Sequence, residues 1–156
     1  MLNRSIFSAS FLSLYVFALS LPAAVYQVGP GQSIATIGAV PWYSLAAGDS
    51  VFIHYAVYHE KFLVSTQGTA QKPIRIIGVA DSAGNRPVID GQNATTGKNN
   101  HHRWQTPTDI QWDGVVFVGI NSDAQTLPAY IEIRNLEIRN GYKDNSFTAE
   151  NGAVSA

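Results

Sequence analysis

The sequence predicts an all-β protein, and two observations favour a parallel β-solenoid over a sandwich or a barrel. Short apolar segments of strand type alternate with turn residues from Val51 onwards. The first observation is that the spacing from Phe52 to Arg75, roughly 23 residues, is close to one solenoid repeat. A sharp corner in the stretch 130–141 is the second observation. Sandwich hairpins would more often carry two-residue Asn-Gly or Asp-Gly turns, and only Asp90-Gly91 could be such a turn.

Residues 1–23 have the pattern of a secretory signal. No charged residue occurs between Arg4 and Asp49, and Ile6–Leu21 is an apolar run that leads into Pro22-Ala23-Ala24. The run is shorter than the roughly 20 residues of a membrane span. We therefore expect cleavage near Ala23 or Ala24 and a protein that is secreted to the periplasm or the cell exterior. An uncleaved anchor and a buried helix are the alternatives.

The only helical candidate is a short segment that follows the leader. Ser33–Ala47 begins with a residue that can cap a helix, and Pro41 limits the helix to one or two turns. Its predicted inward side chains are Ile34, Ile37, Trp42 and Leu45.

Five short strands and one bent pair of strands are predicted after this segment, separated by Gly, Asn, Asp and Pro residues that favour turns. They are Val51–His54, Phe62–Ser65, Ile74–Gly78, Pro87–Asp90, Val115–Val118 and a bent pair around Asn135.

The bent pair is written IEIRN-LEIRN, a repeat at a period of five. Strand side chains alternate with period two, so Ile131 and Ile133 face one side and a straight strand would turn Leu136 and Ile138 to the other. A left-handed residue at Asn135 restores the inward face, because asparagine adopts that conformation more readily than other non-glycine residues. An ordinary strand with a bulge at Asn135 is the alternative.

Composition excludes several classes of function. The chain has 156 residues, no cysteine, 13% charged residues and a formal net charge of −1. Disulfides and thiolate metal sites are therefore excluded, and the scattered Lys and Arg residues give no sign of nucleic-acid binding.

Several motifs resemble the opening rungs of secreted right-handed parallel β-helix proteins. The motifs are Pro30-Gly31-Gln32-Ser33-Ile34, Ala47-Gly48-Asp49-Ser50-Val51, Tyr58-His59-Glu60, Gly68-Thr69-Ala70-Gln71-Lys72-Pro73-Ile74-Arg75-Ile76 and Pro87-Val88-Ile89-Asp90-Gly91. This is the pectate-lyase-like superfamily, and the likeness is to the N-terminal part of alginate lyases and chondroitinase B. The resemblance covers about residues 28–91 and 130–141. It implies a right-handed parallel β-helix whose first rung is covered by the short N-terminal helix.

The same resemblance sets the functional expectation. Residues 24–156 would be the cap and first rungs of a monomeric, secreted polysaccharide lyase acting on acidic polysaccharide, truncated at the C-terminus. The catalytic Lys and Arg and the calcium-binding carboxylates of those lyases lie in later rungs, so catalytic residues cannot be assigned here and calcium is expected only in a full-length protein. A non-catalytic extracellular adhesin or glycan-binding module is the alternative.

The segment His54–Lys61 gathers two His, two Tyr, a Glu and a Lys. Such groups can serve in acid–base chemistry, but the resemblance makes Tyr58 and Glu60 structural corner residues, in which Tyr packs and Glu binds backbone donors. His54 and His59 are five residues apart, which does not place them on one face, so no metal pair is predicted.

The polar stretch 92–114 is predicted to be a loop that leaves the fold at a corner. Long loops of this kind are often functional, and Arg and Trp side chains suit an acidic sugar. Its candidate substrate-binding residues are His101, His102, Arg103, Trp104 and Trp112. A loop that merely covers the side of the solenoid is the alternative.

Two further groups of charged residues occur in the second half of the chain. Asp109, Asp113 and Asp123 could hold calcium through oxygen ligands, although their spacing matches no calcium loop. Glu132, Arg134, Glu137 and Arg139 are expected to point outward as ladders across stacked strands.

Overall fold

The computed structural model describes residues 22–96, 114–119, 127–141, 146–148, 152 and 154. Within these residues the chain forms ten strands and two short 3₁₀ turns, Ile37–Ala39 and Trp42–Ser44. The strands are β1 (Val25–Val28), β2 (Ser50–His54), β3 (Val57–Tyr58), β4 (Glu60–Val64), β5 (Ile74–Val79), β6 (Val88–Asp90), β7 (Thr95–Thr96), β8 (Val116–Val118), β9 (Ile131–Arg134) and β10 (Glu137–Arg139).

The strands form three parallel sheets. Sheet 1 has the order β1-β2-β5-β9, sheet 2 has the order β10-β6-β3, and sheet 3 joins β4 to both β7 and β8. The chain visits sheets 1, 2 and 3 in that order in the pass β2–β4 and again in the pass β5–β8, and we call each such pass a circuit. A third circuit contains β9, β10 and Thr148, which bridges to Thr95. An all-β fold with parallel sheets is thus confirmed.

The predicted repeat length, which placed Phe52 and Arg75 one repeat apart, is wrong, as the register of sheet 1 shows. Val25 pairs with Ser50, and Ser50 pairs in turn with Arg75, so the two strand pairs have the same offset. Phe52 accordingly pairs with Ile77, two positions beyond Arg75. Shifting a strand by two residues leaves the same side chains facing inward, so hydrophobic alternation alone could not distinguish the two registers.

The core lies between the three sheets and is filled by alternate strand residues. In β5, Ile74 and Ile76 are fully buried whereas Arg75 and Ile77 are only partly buried. The same alternation holds in β2 and gives the parallel stack one apolar interior. Its fully buried members are Val28, Ile37, Val40, Trp42, Val51, Ile53, Phe62, Val64, Ile74, Ile76, Ile89, Ala94 and Phe147.

The predicted capping helix Ser33–Ala47 is wrong in its conformation. Val40 precedes Pro41 and adopts an extended backbone, with φ −67° and ψ 136°, which separates two 3₁₀ turns. Ser33 does not cap a helix, because its hydroxyl donates to the Gln27 carbonyl.

The packing predicted for the same segment is nearly correct. Ile37, Trp42 and Leu45 are buried in the core. Ile34, the fourth predicted inward residue, is only partly buried and packs against it. The segment therefore covers the core as predicted, although it does so without forming an α-helix.

Left-handed residues form corners on either side of β9 and after β10. Asn135 has a φ of 57°, so the left-handed corner predicted from the parity switch is confirmed. Asn140, the last residue of the LEIRN unit, has a φ of 55°, and Tyr130 before β9 has a φ of 52°. The five-residue repeat thus encodes two successive corners.

Each of these three corners lies against a glycine of an earlier part of the stack. A Cβ atom built on that glycine would overlap the carbonyl oxygen of the corner residue. The pairs are Gly68 with Tyr130, Gly78 with Asn135 and Gly91 with Asn140. Successive circuits can therefore approach to the hydrogen-bonding distance of neighbouring β-strands only because the residue at the earlier corner is a glycine, which has no side chain.

Residues 1–21 of the predicted leader lie outside the described residues. Among the described residues, no helix is long and apolar enough to cross a membrane.

Candidate functional site

Tyr58 and Glu60 flank the bend between β3 and β4. Tyr58 is 5% exposed and its hydroxyl donates to the His54 carbonyl at 2.6 Å. The Glu60 carboxylate accepts a hydrogen bond from the Gly38 amide at 2.7 Å, which fixes the first 3₁₀ turn onto β4. The geometry thus gives both residues a structural role, which is the role that the resemblance implies.

The Tyr58 hydroxyl is poorly suited to act as a base. Burial, together with the nearby negative charge of Glu60, raises the pKa of Tyr58 to about 12. Its proton is committed to a backbone carbonyl, so neither the charge state nor the geometry provides a proton acceptor near neutral pH.

His54 is the last residue of β2, whereas His59 lies in the bend between β3 and β4. The Nε2 atom of His54 is 2.7 Å from the Gln27 amide oxygen, and the Nδ1 atom of His59 is 2.8 Å from the Gln92 carbonyl. They share no partner. Within the residues that the structure covers, no group of three or more His, Asp or Glu side chains is placed to hold a metal ion.

The structure corrects two features of the predicted loop 92–114: the residue at which it starts and the place at which it leaves the fold. Thr95 and Thr96 form β7 and pair with Glu60 and Lys61, whereas Val116 of β8 pairs with Phe62. The two ends of the intervening segment therefore contact adjacent residues of β4 and do not meet at a corner. The candidate residues of this segment, His101, His102, Arg103, Trp104 and Trp112, lie outside the described residues, as do Asp109, Asp113 and Asp123.

A polar cluster that the sequence did not predict occupies the bend between sheets 2 and 3. Its centre is Asp90, only 3% exposed, whose Oδ1 accepts hydrogen bonds from the Gln92 amide at 3.0 Å and from Asn140 Nδ2 at 2.7 Å. Its Oδ2 accepts a hydrogen bond from Arg139 Nε at 2.9 Å. We call Asp90, Gln92, Arg139 and Asn140 the Asp90 cluster.

The Asp90 cluster stabilises the ionised carboxylate. Burial by itself would raise the pKa of Asp90, but the hydrogen bonds from Asn140, the Gln92 amide and Arg139, together with the Arg139 charge, lower it to about 2. Because Asp90 belongs to the second circuit and Arg139 to the third, the cluster ties the two circuits together.

Arg139 therefore has a structural role, because it pairs with the buried carboxylate of Asp90. The expected solvated ladders across stacked strands are found at Glu132, which pairs with Arg75 of β5 at 3.2 Å, and at Arg139, whose half-exposed side chain pairs with Asp90 of β6. Arg139 differs from Glu132 in that its partner Asp90 is buried, and it also lies 3.4 Å from Glu137, so its charge is balanced by two carboxylates. This arrangement leaves little attraction for a further anion.

Replacement of Asp90 by asparagine is expected to change the acid stability of the protein. A carboxylate with a lowered folded-state pKa stabilises the fold above its unfolded pKa of 3.8 and loses that contribution as the pH falls through about 2. Asp90→Asn should therefore lower the free energy of unfolding at pH 7 by about 2 kcal/mol and flatten its pH dependence between about pH 4 and pH 2. Urea denaturation at a series of pH values measures both.

Asp81 offers a matched control for that experiment. Its pKa is also lowered, by hydrogen bonds from the side chain and amide of Asn85, but these bonds lie within one exposed turn. Asp81→Asn should thus have a much smaller effect. Equal pH profiles for Asp90→Asn and the unmodified protein would contradict the role of the Asp90 cluster.

Lys61 is the second polar residue that sequence reasoning underestimated. It is 3% exposed, and its ammonium lies 4.1 Å from the centre of the Phe147 ring. A cation over an aromatic face is stabilised by the ring quadrupole. Lys61 thus links the first circuit to the residue before Thr148.

The sequence held a signal for only part of this arrangement. The LEIRN unit nearly repeats the IEIRN unit before it, so Asn140 could have been predicted as a corner by the argument used for Asn135. The partnership of Asp90 with Arg139 joins distant parts of the chain and depends on the register of β6 with β10, for which local sequence has no signal.

Comparison with protein-family models, with curated proteins and with solved structures found no match. The functional assignment therefore depends on the fold and on the chemistry of the sequence.

Proposed function

We propose that the chain is the N-terminal part of a secreted right-handed parallel β-helix protein that acts on an acidic polysaccharide. The observation that carries the proposal is the repeated passage through three parallel sheets in a fixed order. Such repetition is expected of a solenoid, in which each unit contacts only its neighbours. It agrees with the resemblance of residues 28–91 and 130–141 to pectate-lyase-like proteins.

Right-handedness follows from a general property of parallel sheets. A connection that leaves a strand and returns to a parallel neighbour in the same sheet is right-handed in the great majority of proteins. The offset between β1 and β2 is the same as that between β2 and β5, which fits one circuit of such a helix for each step.

Further circuits are proposed to stack on the third one. Among the described strands, β9 pairs only with β5 and β10 only with β6, so each has one edge without a described partner. Ile138 pairs with the fully buried Ile89 yet is 49% exposed. An inward apolar side chain that is half exposed is expected where the next layer of a stack belongs.

The lyase chemistry is assigned to those further circuits. Proton abstraction next to a uronate carboxylate needs a base and a cation in one cleft. In the described part of the chain, Tyr58 is buried with a raised pKa and Arg139 is paired to two carboxylates, so neither group is available for this step. The carboxylates that would hold calcium are likewise expected beyond this chain.

The contribution of this chain is proposed to be glycan binding by the segment between β7 and β8. That segment contains His101, His102, Arg103, Trp104 and Trp112, and its two ends are anchored on β4. Aromatic rings stack on sugar rings, and Arg binds a carboxylate through two parallel hydrogen bonds.

Binding of alginate, pectate and chondroitin oligosaccharides to the chain should depend on this segment. Trp104→Ala and Trp112→Ala are each expected to weaken binding by about 0.5–2 kcal/mol, or roughly 2- to 30-fold in Kd. Arg103→Gln should weaken binding and reduce its dependence on salt. Isothermal titration calorimetry at two salt concentrations measures both effects.

Two exposed residues elsewhere serve as matched controls. Tyr55 is a 42% exposed aromatic at another corner, and Arg86 is exposed in the turn before β6. Tyr55→Ala and Arg86→Gln should leave the affinity unchanged. If the controls weaken binding as much as the test variants do, the segment is not the binding site.

The full-length reading frame separates a lyase from an adhesin. A lyase product carries a conjugated double bond, so absorbance in the ultraviolet should rise with time on one of the three polysaccharides. The 156-residue chain by itself should give no turnover. Binding without any absorbance increase in the full-length protein would support a glycan-binding module instead.

A further inference from the structure

Asp49 is a buried carboxylate at the point where the described chain enters the fold. It is 4% exposed, and its two oxygens accept hydrogen bonds from backbone amides: Oδ1 from Ala24 at 2.7 Å and Oδ2 from Ala46 at 2.9 Å. Within the described ranges, no ion pair joins it to a Lys, Arg or His. The titratable groups around it are Tyr26 of β1, whose pKa is raised by burial and by the Asp49 charge, and Lys72, whose aliphatic stem lies beside Gly48. A buried charge without an opposite charge is costly, because two amide dipoles replace only part of its hydration.

The position of Ala24 is fixed independently of this contact. The Ser50 amide donates to the Ala24 carbonyl at 2.9 Å, which continues the ladder between β1 and β2 by one residue. The Asp49 carbonyl in turn accepts from the Arg75 amide at 2.9 Å. Both residues are thus held by sheet 1, so the nitrogen of Ala24 stays at the carboxylate.

We propose that the leader is cleaved between Ala23 and Ala24 and that the new α-ammonium of Ala24 forms an ion pair with Asp49. Of the two cleavage positions that the sequence allows, only this one places a cation at the existing contact. Cleavage after Ala24 would remove the donor and leave Oδ1 of Asp49 without its hydrogen bond. This inference rests on the export part of the proposed function and not on its polysaccharide part.

The chemistry of the step is peptide-bond hydrolysis by an export-linked endopeptidase. Water adds to the Ala23 carbonyl, the bond from that carbon to the Ala24 nitrogen breaks, and the released amine takes up a proton. Ala23 leaves as the carboxyl end of the leader. One amide donor at Asp49 becomes an ammonium with three donors and a positive charge.

The α-ammonium should stabilise the fold only while it is charged. An ordinary α-amine has a pKa of about 8, and an ion pair raises the folded-state value above it. Stability from the pair is therefore complete below about pH 8 and is lost as the pH rises through the higher folded-state pKa.

The first test locates the cleavage. The full reading frame is produced with its own leader in a secreting bacterial host, and the N-terminal peptide of the exported protein is identified by mass spectrometry. A chain that begins at Ala24 supports the proposal. A chain that begins at Met1, Val25 or any other residue overturns it.

The second test measures the ion pair in four proteins that begin at Ala24: with a free or an acetylated α-amine, each with Asp49 or with Asp49→Asn. Acetylation should lower the Tm by about 3–6 °C at pH 6.5 and by almost nothing at pH 10 in the Asp49 pair. It should have no effect in the Asp49→Asn pair, because the coupling is then absent. Equal losses in both pairs would overturn the ion pair.

A direct titration covers the case in which Asp49→Asn does not fold. The α-amine of Ala24, labelled with ¹⁵N, is titrated by NMR in the unmodified mature protein. A pKa clearly above about 8 supports the proposal, and a value of about 8 or below overturns it. Glycan binding is measured separately, so a protein that is exported and paired but binds no glycan would refute only the proposed function.

Discussion

Gly78→Ala is expected to prevent the second and third circuits from stacking. The added Cβ would overlap the backbone carbonyl oxygen of Asn135. That oxygen cannot move away, because β9 and β10 on either side of Asn135 are paired to β5 and β6. Asn135 Nδ2 also donates to the Gly78 carbonyl at 2.6 Å. We expect a loss of about 3 kcal/mol or more in the free energy of unfolding, measured by urea denaturation.

Gly84→Ala is the matched control for this substitution. Gly84 has a φ of 85°, but no atom lies within 4 Å of the position that a Cβ would take, so alanine there meets only backbone strain, about 1–2 kcal/mol. At Gly78, by contrast, φ lies outside the left-handed range, so an alanine there meets no backbone strain and is opposed only by the lack of space for its Cβ. A Gly78→Ala protein as stable as the Gly84→Ala protein would contradict the packing of the corners.

Trp42→Ala should remove the largest side chain of the N-terminal cap. Trp42 is fully buried and stacks on Phe62 with ring centres 4.4 Å apart and planes inclined by 11°. Its indole nitrogen donates to the Ile37 carbonyl at 2.9 Å. Loss of this burial leaves a cavity over the first circuit, and we expect the free energy of unfolding to fall by about 3–5 kcal/mol.

Two further variants divide that loss into its causes. Trp42→Phe keeps most of the stacking but removes the indole donor, so it should cost only about 1–2 kcal/mol. The adjacent Tyr43 is 50% exposed, and Tyr43→Ala should cost no more than about 1 kcal/mol. Chemical denaturation followed by tryptophan and tyrosine fluorescence compares the three. Equal losses in all of them would mean that the cap does not pack as a unit on β4.

Much of the strand content was predictable because it depends on alternation within a few residues. The apolar segments beginning at Val51 and Ile74 became β2 and β5 with nearly the predicted bounds. The parity switch at Asn135 was also local, since two short runs of opposite phase can share one interior only through a sharp corner. The short strands β3 and β7 were missed because two residues carry no readable period.

By itself, then, the sequence determined which side chains face the core and where the chain must turn at Asn135. Tertiary structure decided the offset between successive circuits, the 3₁₀ form of the cap, the contact of Gly78 with Asn135 and the partnership of Asp90 with Arg139. Each of the contacts depends on which residues of distant circuits lie opposite one another. A two-residue shift between parallel strands leaves the hydrophobic pattern intact but changes every such neighbour, so only the packed stack can select the register.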